Sequence, residues 1–424
     1  MKLNLDLNVS HLTRIEGHGS IRVRVVEGEV REARWDVVES PRFFEAMLKG
    51  KGYRTAGILT ARICGICSIG HCLASLRATE QAFGVTIPPT AASLRLLAKH
   101  GETLQSHWLH LFFLAAPDFL ALPSVIPLLE SRPELFHLAR RLRGVANRLS
   151  DLIAGRSTHP VSLQPGGVAV IPSREKLLIL GDELHRSLED ISAAVELFAS
   201  FRIPDFIRET EYVSLKGEAT YPWIGGRLLS SDGVEGAEEE YLRMTNEYVV
   251  PSNSSKWCRL SRPSFAVGAL ARFNNNFRLL HPEALQAAER LALSPPCHNP
   301  FMNNVAQLVE CVQVTHEALR LLDELITDPQ GEIMAPVTPR AGVGVGAVEV
   351  PRGILYHCYE YDAQGYILRA DCVIPTTQNN ANIHLDLSAL ARRYAVEGMS
   401  DEHLELLCSM LVRAYDPCLS CSVH

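Results

Sequence analysis

The hydrophobic and polar positions of the chain change their period several times, and each change predicts a different element. Residues 20–38 alternate apolar and polar side chains on both sides of Glu27-Gly28, which predicts an antiparallel hairpin of two half-buried strands. From Phe43 onward the spacing becomes that of amphipathic helices. We expect long helices over residues 90–113, 133–154, 175–201, 282–293 and 303–326.

Strand patterns return near the end of the chain. Residues 347–375 predict strands with a hairpin turn near Ala363-Gln364-Gly365, and residues 401–415 predict an amphipathic helix. The Gly- and Pro-rich stretches 160–172 and 336–346 predict loops. We therefore expect a mainly α fold with small β-sheets, of the α+β class, with peripheral hairpins around a central helical bundle.

We expect residues 1–424 to form a single structural unit, because no stretch has the composition of an interdomain linker and no repeat is present. Three approximate segments make up this unit: a β-containing N-terminal segment of residues 1–60 that leads to the first cysteine motif, a helical body of residues 61–335, and a strand-containing segment of residues 336–424 that ends in the second motif.

Residues 109–129 form an apolar run long enough to span a membrane. The run contains His110 and Asp118, and it is interrupted by Pro117, Pro123 and Pro127. An aspartate beside a proline at mid-span would be costly in lipid. We predict a buried helix and turn here, and no transmembrane segment.

Composition and charge narrow the class of protein. The 424 residues are 47% hydrophobic and 21% charged, as in ordinary globular proteins. The formal net charge of −7, with no Lys/Arg-rich run, argues against nucleic-acid binding. Eleven cysteines at irregular spacing in a long chain indicate metal-bound and buried thiols, not a secreted disulfide framework. With no signal-peptide pattern at the N-terminus, the expected location is the cytoplasm.

Two Cys-x-x-Cys motifs lie at opposite ends of the chain. Cys64 and Cys67 are in the first, and Cys418 and Cys421 are in the second. The first pair is expected on a helical first turn, where residues three apart share a face. Four thiolates suit soft metal ions. Spacing alone leaves open a structural zinc site or a thiol–disulfide role, although zinc ribbons join their pairs within about 15 to 20 residues.

Five motifs in register resemble those of the large, catalytic subunits of nickel–iron hydrogenases. The motif sequences of this chain are most similar to those of the soluble, multimeric, cofactor-linked group of these hydrogenases. In chain order the motifs are Arg14-Ile-Glu-Gly-His18, residues 62–71, Glu349-Val-Pro-Arg-Gly353, Ile374-Pro-Thr-Thr377, and residues 416–424. Together they span nearly the full length. Gln378 and Val350 depart from the usual residues at their positions, and these departures bear on subgroup, oxygen tolerance and direction.

The resemblance implies a ligand set for a nickel–iron centre. Cys64 and Cys418 would be terminal nickel ligands, and Cys67 and Cys421 would bridge nickel to an iron that carries CO and two cyanides. The cyanide pocket would consist of Arg352, the Thr376 hydroxyl and backbone groups near Pro351 and Pro375. His71, on the same helix face as Cys67, would border the cofactor. Asp416 and Asp118 are the expected carboxylate partners of Arg352.

The reaction implied is H₂ ⇌ 2H⁺ + 2e⁻ by heterolytic cleavage, which needs a base close to the metals. Cys418 is the expected proton acceptor, and Arg352 is the competing candidate. Glu16 would be the first relay of the proton path. Apart from the resemblance, a glutamate at this place is more often a solvated or salt-bridged surface residue.

A second ion is also implied by the resemblance. Glu45, the carbonyl of Cys372 and His424 would bind Mg²⁺, or iron in its place. Members of the family carry a C-terminal extension that a maturation protease removes beyond the histidine matched by His424, after metal chaperones deliver the metals. We therefore expect His424 to belong to the processed form.

Partners are implied by what the sequence does not contain. There is no further cysteine cluster with iron–sulfur spacing and no Gly-x-Gly-x-x-Gly fingerprint. We expect an iron–sulfur small subunit, and further electron-transfer subunits that reach NAD(P) through a flavoprotein, a ferredoxin or a disulfide-reducing module. Two alternatives remain open: a non-catalytic hydrogenase-like structural subunit of a larger redox complex, and an interaction protein held together by a zinc–tetracysteine site.

Overall fold

The computed structural model describes residues 4–327, 331–397 and 400–424. The helices are α1 Phe44–Leu48, α2 Tyr53–Thr60, α3 Ser68–Phe83, α4 Pro89–Leu109, α5 Ala116–Phe119, α6 Leu128–Ser131, α7 Pro133–Ala154, α8 Arg174–Ala199, α9 Tyr241–Thr245, α10 Ala269–Asn276, α11 Pro282–Arg290, α12 Asn303–Thr327, α13 Pro375–Glu397, α14 Asp401–Ala414 and α15 Leu419–Ser422. The strands are β1 Leu5–Val9, β2 Gly19–Val26, β3 Glu29–Val37, β4 Leu163–Gln164, β5 Gly167–Val168, β6 Glu211–Leu215, β7 Leu228–Ser230, β8 Glu235–Gly236, β9 Phe265–Ala266, β10 Gly342–Val350, β11 Gly353–Tyr361 and β12 Ile367–Val373.

The predicted hairpin of residues 20–38 is confirmed by β2 and β3, which pair in antiparallel register. Glu27 and Gly28 both have positive φ, 53° and 82°, as a tight two-residue turn between twisted strands requires. Residues of β2 alternate between buried and more exposed positions, so one face of the sheet packs on the core. β1 adds a third antiparallel strand.

Four long helices form the central bundle. α4 packs against α7, α7 against α8, α8 against α12, and α12 against α4. The five predicted long helices are observed with shifts of at most four residues at their ends, because the amphipathic pattern identifies the buried face better than the terminal turn. The predicted helix of residues 401–415 is likewise confirmed as α14. The mainly helical class predicted from the sequence is therefore confirmed.

The apolar run of residues 109–129 is not a single helix. A π-helical turn, His110–Ala115, follows α4, and α5 ends at Phe119. Across the described ranges, no helix is both long enough and apolar enough to cross a membrane.

The loop predicted for residues 336–346 is partly wrong, because β10 begins at Gly342 and continues the antiparallel sheet β10–β11–β12. Glycines at 342, 344 and 346 let this strand lie against the backbone of α3. A Cβ atom at Gly344 would be 2.1 Å from the Ala78 carbonyl oxygen, and one at Gly346 would be 2.1 Å from that of Ala74. The glycines indicate a helix–strand contact here, not a flexible segment.

Two further features lie outside the sequence predictions. The strand pattern of residues 347–375 ends at Val373, and the long helix α13 begins at Pro375. The region predicted as a helical body also contains a four-stranded sheet in the order β8–β7–β6–β9. This sheet packs on β10 and β11, so it extends the core behind the loop that carries Arg352.

Candidate metal centre

The two cysteine motifs come from opposite ends of the chain and meet in the interior. Cys64 lies in an irregular turn between α2 and α3, and Cys67 is the N-cap residue of α3. The expectation that both lie on a helical first turn is therefore wrong for Cys64. Its sulfur instead accepts hydrogen bonds from the backbone N–H groups of Ile66 and Cys67, each at 3.2 Å. Cys418 is the N-cap residue of α15.

The four sulfur atoms form one compact group. The Sγ atoms of Cys64 and Cys418 are 3.7 Å apart, and those of Cys67 and Cys421 are 3.9 Å apart. All four lie within 4.8 Å of one another. Each cysteine is at most 4% exposed. The structure thus brings together the four thiols whose spacing suggested a shared site.

The thiols of this group differ in acidity. Hydrogen bonds from Cys418, and then from Cys421 and Cys67, hold the pKa of the Cys64 thiol well below its usual range. Burial raises the pKa values of Cys418 and Cys421 well above theirs. Four buried thiolates would repel one another strongly unless a cation lies between them. The cluster therefore has the chemistry of a metal site, in which all four sulfurs can lose their protons.

Arg42 holds the two motif segments against each other. Its Nη2 donates a hydrogen bond to the Ile63 carbonyl at 2.7 Å and another to the Ser420 carbonyl. The backbone N–H of Arg42 donates to the Val423 carbonyl at 2.8 Å. Sequence analysis assigned no role to this residue, because its partners are backbone groups far away along the chain.

Arg352 lies beside the sulfur group. Its Nε donates to the Asp416 carbonyl at 2.5 Å, and its Nη2 donates to Asp416 Oδ1 at 2.9 Å. The charges of Asp416, Cys418, Cys67 and Cys64 raise the pKa of the guanidinium despite its burial. Among the described residues, buried Nη1 of Arg352 has no hydrogen-bond partner. A buried, unpartnered donor next to four thiols fits an acceptor ligand on a bound metal.

Asp118 is not a partner of Arg352, so that prediction is wrong. Its carboxylate contacts Arg14, and it receives two hydrogen bonds from Arg413 Nη1, at 3.0 and 2.9 Å. Asp118 lies just after the π-helical turn, where it joins the N-terminal motif to the end of α14. The order of the motifs along the chain does not indicate which arginine forms an ion pair with Asp118.

The other residues expected to form the cyanide pocket are Thr376, Pro375 and Pro351. Thr376 Oγ1 accepts a hydrogen bond from the Cys418 backbone N–H at 3.0 Å. Pro375 is the first residue of α13, and the N–H groups of a first helical turn have no intrahelical partner. The Pro351 carbonyl accepts from Arg272 Nη2 at 3.2 Å.

Glu16 reaches the second cysteine motif. Its carboxylate accepts a hydrogen bond from the Ser420 N–H at 3.1 Å and another from the Ser420 hydroxyl. Its backbone forms a parallel bridge with Cys418, and the Leu419 N–H donates to the Glu16 carbonyl at 3.0 Å. Glu16 is partly buried and is held at the motif, unlike a freely solvated surface glutamate.

Glu45, Cys372 and His424 also come together. Glu45 Oε1 accepts from the Cys372 N–H at 2.8 Å and lies 3.5 Å from His424 Nε2. Burial raises the pKa of Glu45, but the hydrogen bond and charge of His424 outweigh it, so the pKa is lowered. Lys256 is near enough to contribute to this effect, and it pairs with Glu247 at 2.8 Å. Sequence analysis did not identify that second pair.

His71 belongs to a buried hydrogen-bonded chain. Its Nδ1 lies 3.1 Å from His357 Nε2, and His357 Nδ1 lies 2.6 Å from the Tyr359 hydroxyl. Burial lowers the pKa of His71 to about 4, so the imidazole is neutral at pH 7. The charge of Cys64 acts on this ring, so His71 lies near the sulfur group.

Arg272 supports the loop that carries Arg352, and sequence analysis missed it. Arg272 donates to the Val350 carbonyl at 2.9 Å, to Glu349 Oε2 at 2.9 Å and to both oxygens of Glu310. Glu349 lies within one of the five motifs. The presence of this acidic residue was the only local sign that a buried cation, Arg272, faces the loop that carries Arg352.

Comparison with known proteins identifies the family. The sequence model described as nickel-dependent hydrogenase matches residues 42–132 and 256–424, and one described as HoxL-like matches residues 6–40. The chain belongs to the nickel-dependent hydrogenase family. The resemblance inferred from the five motifs is therefore confirmed, and the chain is a hydrogenase subunit, in a family of oxidoreductases that act on H₂.

Relatives match this hydrogenase over almost their whole length. Sulfhydrogenase 2 subunit alpha of Pyrococcus furiosus is 32% identical, covering 99% of this chain and 98% of its own. NAD-reducing hydrogenase HoxS subunit beta of Cupriavidus necator is 29% identical, covering 100% and 95%. Among solved structures, an NAD⁺-reducing NiFe-hydrogenase in the H₂-reduced state has a TM-score of 0.89 and 30% identity, covering 99% of both chains. A Ni-Fe-Se hydrogenase from Desulfomicrobium baculatum, at 21% identity, TM-score 0.77 and coverage of 99% and 100%, shows the fold alone.

Proposed function

We propose that this chain is the catalytic subunit of a nickel–iron hydrogenase that cleaves H₂ reversibly and heterolytically into two protons and two electrons. One observation supports this proposal most strongly: four buried cysteine sulfurs lie within 4.8 Å of one another, beside an Arg352 Nη1 that has no hydrogen-bond partner in the described part of the chain. A structural zinc site needs the sulfurs but has no use for the buried guanidinium.

Cys64, Cys67, Cys418 and Cys421 would hold the centre. In this assignment Cys64 and Cys418 would bind nickel only, and Cys67 and Cys421 would bind both nickel and iron. Each short sulfur–sulfur contact joins two cysteines that have the same assigned role: Cys64 with Cys418, and Cys67 with Cys421. Bound there, a nickel–iron centre with CO and two cyanide ligands would supply the metal that polarises H₂ and accepts its two electrons.

Three kinds of donor would bind the cyanide nitrogens. Arg352 offers Nη1, for which the described residues provide no hydrogen-bond partner. Thr376 uses its hydroxyl oxygen as an acceptor for the Cys418 N–H, so its own O–H proton remains to be donated. The first N–H groups of α13, after Pro375, point along a helix axis whose N-terminus favours anions. Asp416 positions Arg352 by accepting from it twice.

The proton released by H₂ needs a base near the centre and an exit path. We assign the base to the Cys418 sulfur, with Arg352 as the competing acceptor. Glu16 would take the proton next, because its backbone pairs with Cys418 and its carboxylate is fixed by Ser420. His71 would border the centre, and its contact with His357 would keep the orientation of the His71 ring fixed.

Glu45 and His424 would bind Mg²⁺, or iron, with the Cys372 carbonyl and waters completing the coordination. The closeness of Glu45 to both Cys372 and His424 supports a shared ion. Its carboxylate would exchange the present hydrogen bonds for coordination of the cation.

Electrons must leave through other proteins. In the described parts of the chain, the groups of three or more metal-ligating side chains are the four cysteines and one histidine-containing cluster, and neither is a second cysteine cluster. We propose an iron–sulfur small subunit as the immediate electron acceptor and further electron-transfer subunits beyond it. The NAD-reducing relative is, by its name, one subunit of a hydrogenase. We further propose metal chaperones and a maturation protease as transient partners, and the cytoplasm as the location.

Infrared spectroscopy and elemental analysis of the purified protein test the proposal together. We expect nickel and iron in the sample, together with stretching bands of metal-bound CO and of two cyanides. Zinc at one equivalent without these bands would identify a structural tetracysteine site and overturn the proposal. Replacement of Arg352 by Lys should shift the cyanide bands, because the planar guanidinium and its Nη1 donor are lost. The four cysteines should still hold the metals.

A further inference from the structure

A second group of ligating side chains lies outside the cysteine centre. His281 precedes α11, Glu283 is in its first turn, and His316 lies on α12. One ligand atom from each residue lies within 4.8 Å of the others. The imidazole rings of His281 and His316 stack with centroids 4.4 Å apart and an angle of 11° between their planes. Glu283 Oε2 is 2.5 Å from His281 Nδ1.

The fold holds this group in place through the backbone. The His281 N–H donates to Gln313 Oε1 at 2.6 Å, and Gln313 lies three residues before His316 on α12. Pro282 at the first position of α11 fixes the start of that helix, and α11 packs along α12. Two elements therefore present the three side chains to each other without a bound ligand. His281 and Glu283 are 40% and 51% exposed, so an ion can reach them from solvent.

We propose that His281, Glu283 and His316 bind a divalent zinc-class cation through two imidazole nitrogens and one carboxylate oxygen. Water would complete the coordination. This set of borderline ligands suits Zn²⁺, and also Ni²⁺ or Co²⁺, far better than Mg²⁺ or Ca²⁺. The inference does not depend on the function proposed for the cysteine centre.

The partial burial of His316 favours the neutral ring that a metal ligand needs. Burial lowers the pKa of His316, and the neighbouring His281 and His185 lower it further, against the opposing effect of Glu283. The ring is therefore neutral at pH 7 and has a lone pair to offer. His185, exposed on α8, is outside the group of close ligand atoms.

Binding requires a small rearrangement of the side chains. Zinc–nitrogen distances of about 2.0–2.1 Å demand that the ligand atoms approach more closely than 4.8 Å. Rotation of the His281 ring out of the stack achieves this, since its side chain is partly exposed and its backbone stays fixed by Gln313. The bound ion would connect α11 to α12 at the edge of the bundle.

Zinc titration of the metal-filled protein in competition with a chromogenic chelator tests the site, because the cysteine centre is then occupied. We expect one additional site per chain. His316→Gln and His281→Gln should each weaken it by at least about tenfold, as the loss of one of three ligands implies. His137→Gln, which changes an exposed histidine on α7, is the matched control and should bind as the wild type does.

Cobalt provides an independent readout of the ligands. Co²⁺ added to the wild type and to His137→Gln should give visible d–d absorption of a low-coordinate site, which should be lost in both His281→Gln and His316→Gln. The helical circular dichroism of all variants in chelator should be the same, since His281 is a surface residue. Equal zinc affinity in the wild type and both ligand variants would overturn the proposal, and so would a wild type that binds no additional zinc.

Discussion

Replacement of Glu310 by Gln removes the central carboxylate of the buried network behind the Arg352 loop. Arg272 donates to its two oxygens at 2.6 and 2.7 Å, and Tyr221 and His107 contact the same carboxylate at 2.9 and 2.8 Å. Arg272 is 0% exposed and Glu310 is 1% exposed. The glutamine side chain has nearly the same shape as glutamate but carries no charge. The Arg272 guanidinium then has Glu349 as its remaining carboxylate partner among the described residues.

The size of the effect follows from the pKa of Glu310. Although burial raises it, the charge and hydrogen bonds of Arg272, with those of His107, lower the pKa from 4.5 to about 2. A lowering of the pKa by this amount corresponds to about 3 kcal/mol of folding free energy, within the usual range for breaking a buried pair. With an unfolding entropy of roughly 2.1 cal/mol/K per residue, a chain of 424 residues should lose about 3 to 4 °C in Tm.

The matched control is Glu324→Gln on the same helix, α12. Glu324 pairs with Arg320 at 2.6 Å, and both side chains are more than half exposed. Such surface pairs contribute little, so its Tm should change by less than about 1 °C. Both variants are compared with the wild type by calorimetry or circular dichroism at a fixed scan rate. Equal Tm values for the two variants would refute the network argument.

The sign of the pH dependence gives a second check on Glu310. Because its folded pKa is lowered, the stabilisation is fully present above the unfolded value of about 4.5 and is lost only as pH falls towards about 2. The Tm difference between the wild type and Glu310→Gln should therefore be the same at pH 7 and pH 5.5. A difference that already vanishes at pH 5.5 would contradict the assigned pKa.

Three further predictions concern the centre and its support. Cys418→Ser should abolish H₂ turnover and reduce bound nickel; an active variant with full nickel content would contradict the ligand assignment. Glu16→Gln should retain the metals but lower H/D exchange by at least about tenfold, whereas Glu39→Gln, which changes a carboxylate that binds His18 at the surface, should exchange normally. Gly344→Ala should lower the Tm, because its Cβ would lie 2.1 Å from the Ala78 carbonyl, while Gly181→Ala on α8, whose Cβ would meet no described atom within 4 Å, should raise stability by up to about 1 kcal/mol.

Sequence patterns predicted the elements whose burial is one-sided. The helices of the bundle have an apolar stripe and a polar face, so their periodicity is visible. Helix α13 was missed because many buried positions of its first two turns are polar: Gln378, Asn379, Asn380 and Asn382 are all at most 2% exposed. Their amides bond to backbone and side-chain groups of neighbouring elements. The apolar stripe of the helix therefore begins only in its third turn, with Ile383, Leu387, Leu390 and Ala391.

Short, fully buried strands were missed for a related reason. Every residue of β6 is buried, so the strand has no polar–apolar alternation, and β8 and β9 have two residues each. The cysteine pairs were found because chelating spacing is local. The partners of Asp118, Arg42 and Arg272 are not local, and each pairing is a product of the folded chain alone.

The burial of the four sulfurs implies an order of assembly. A hydrated ion is much larger than any opening at a thiol that is at most 4% exposed, so we infer that a metal enters while residues 416–424 are still undocked. Closing then requires Arg42 to reach Ser420, and Glu16 to reach Leu419. A chain that closes without its metal would therefore exclude the ion from its own sulfur ligands.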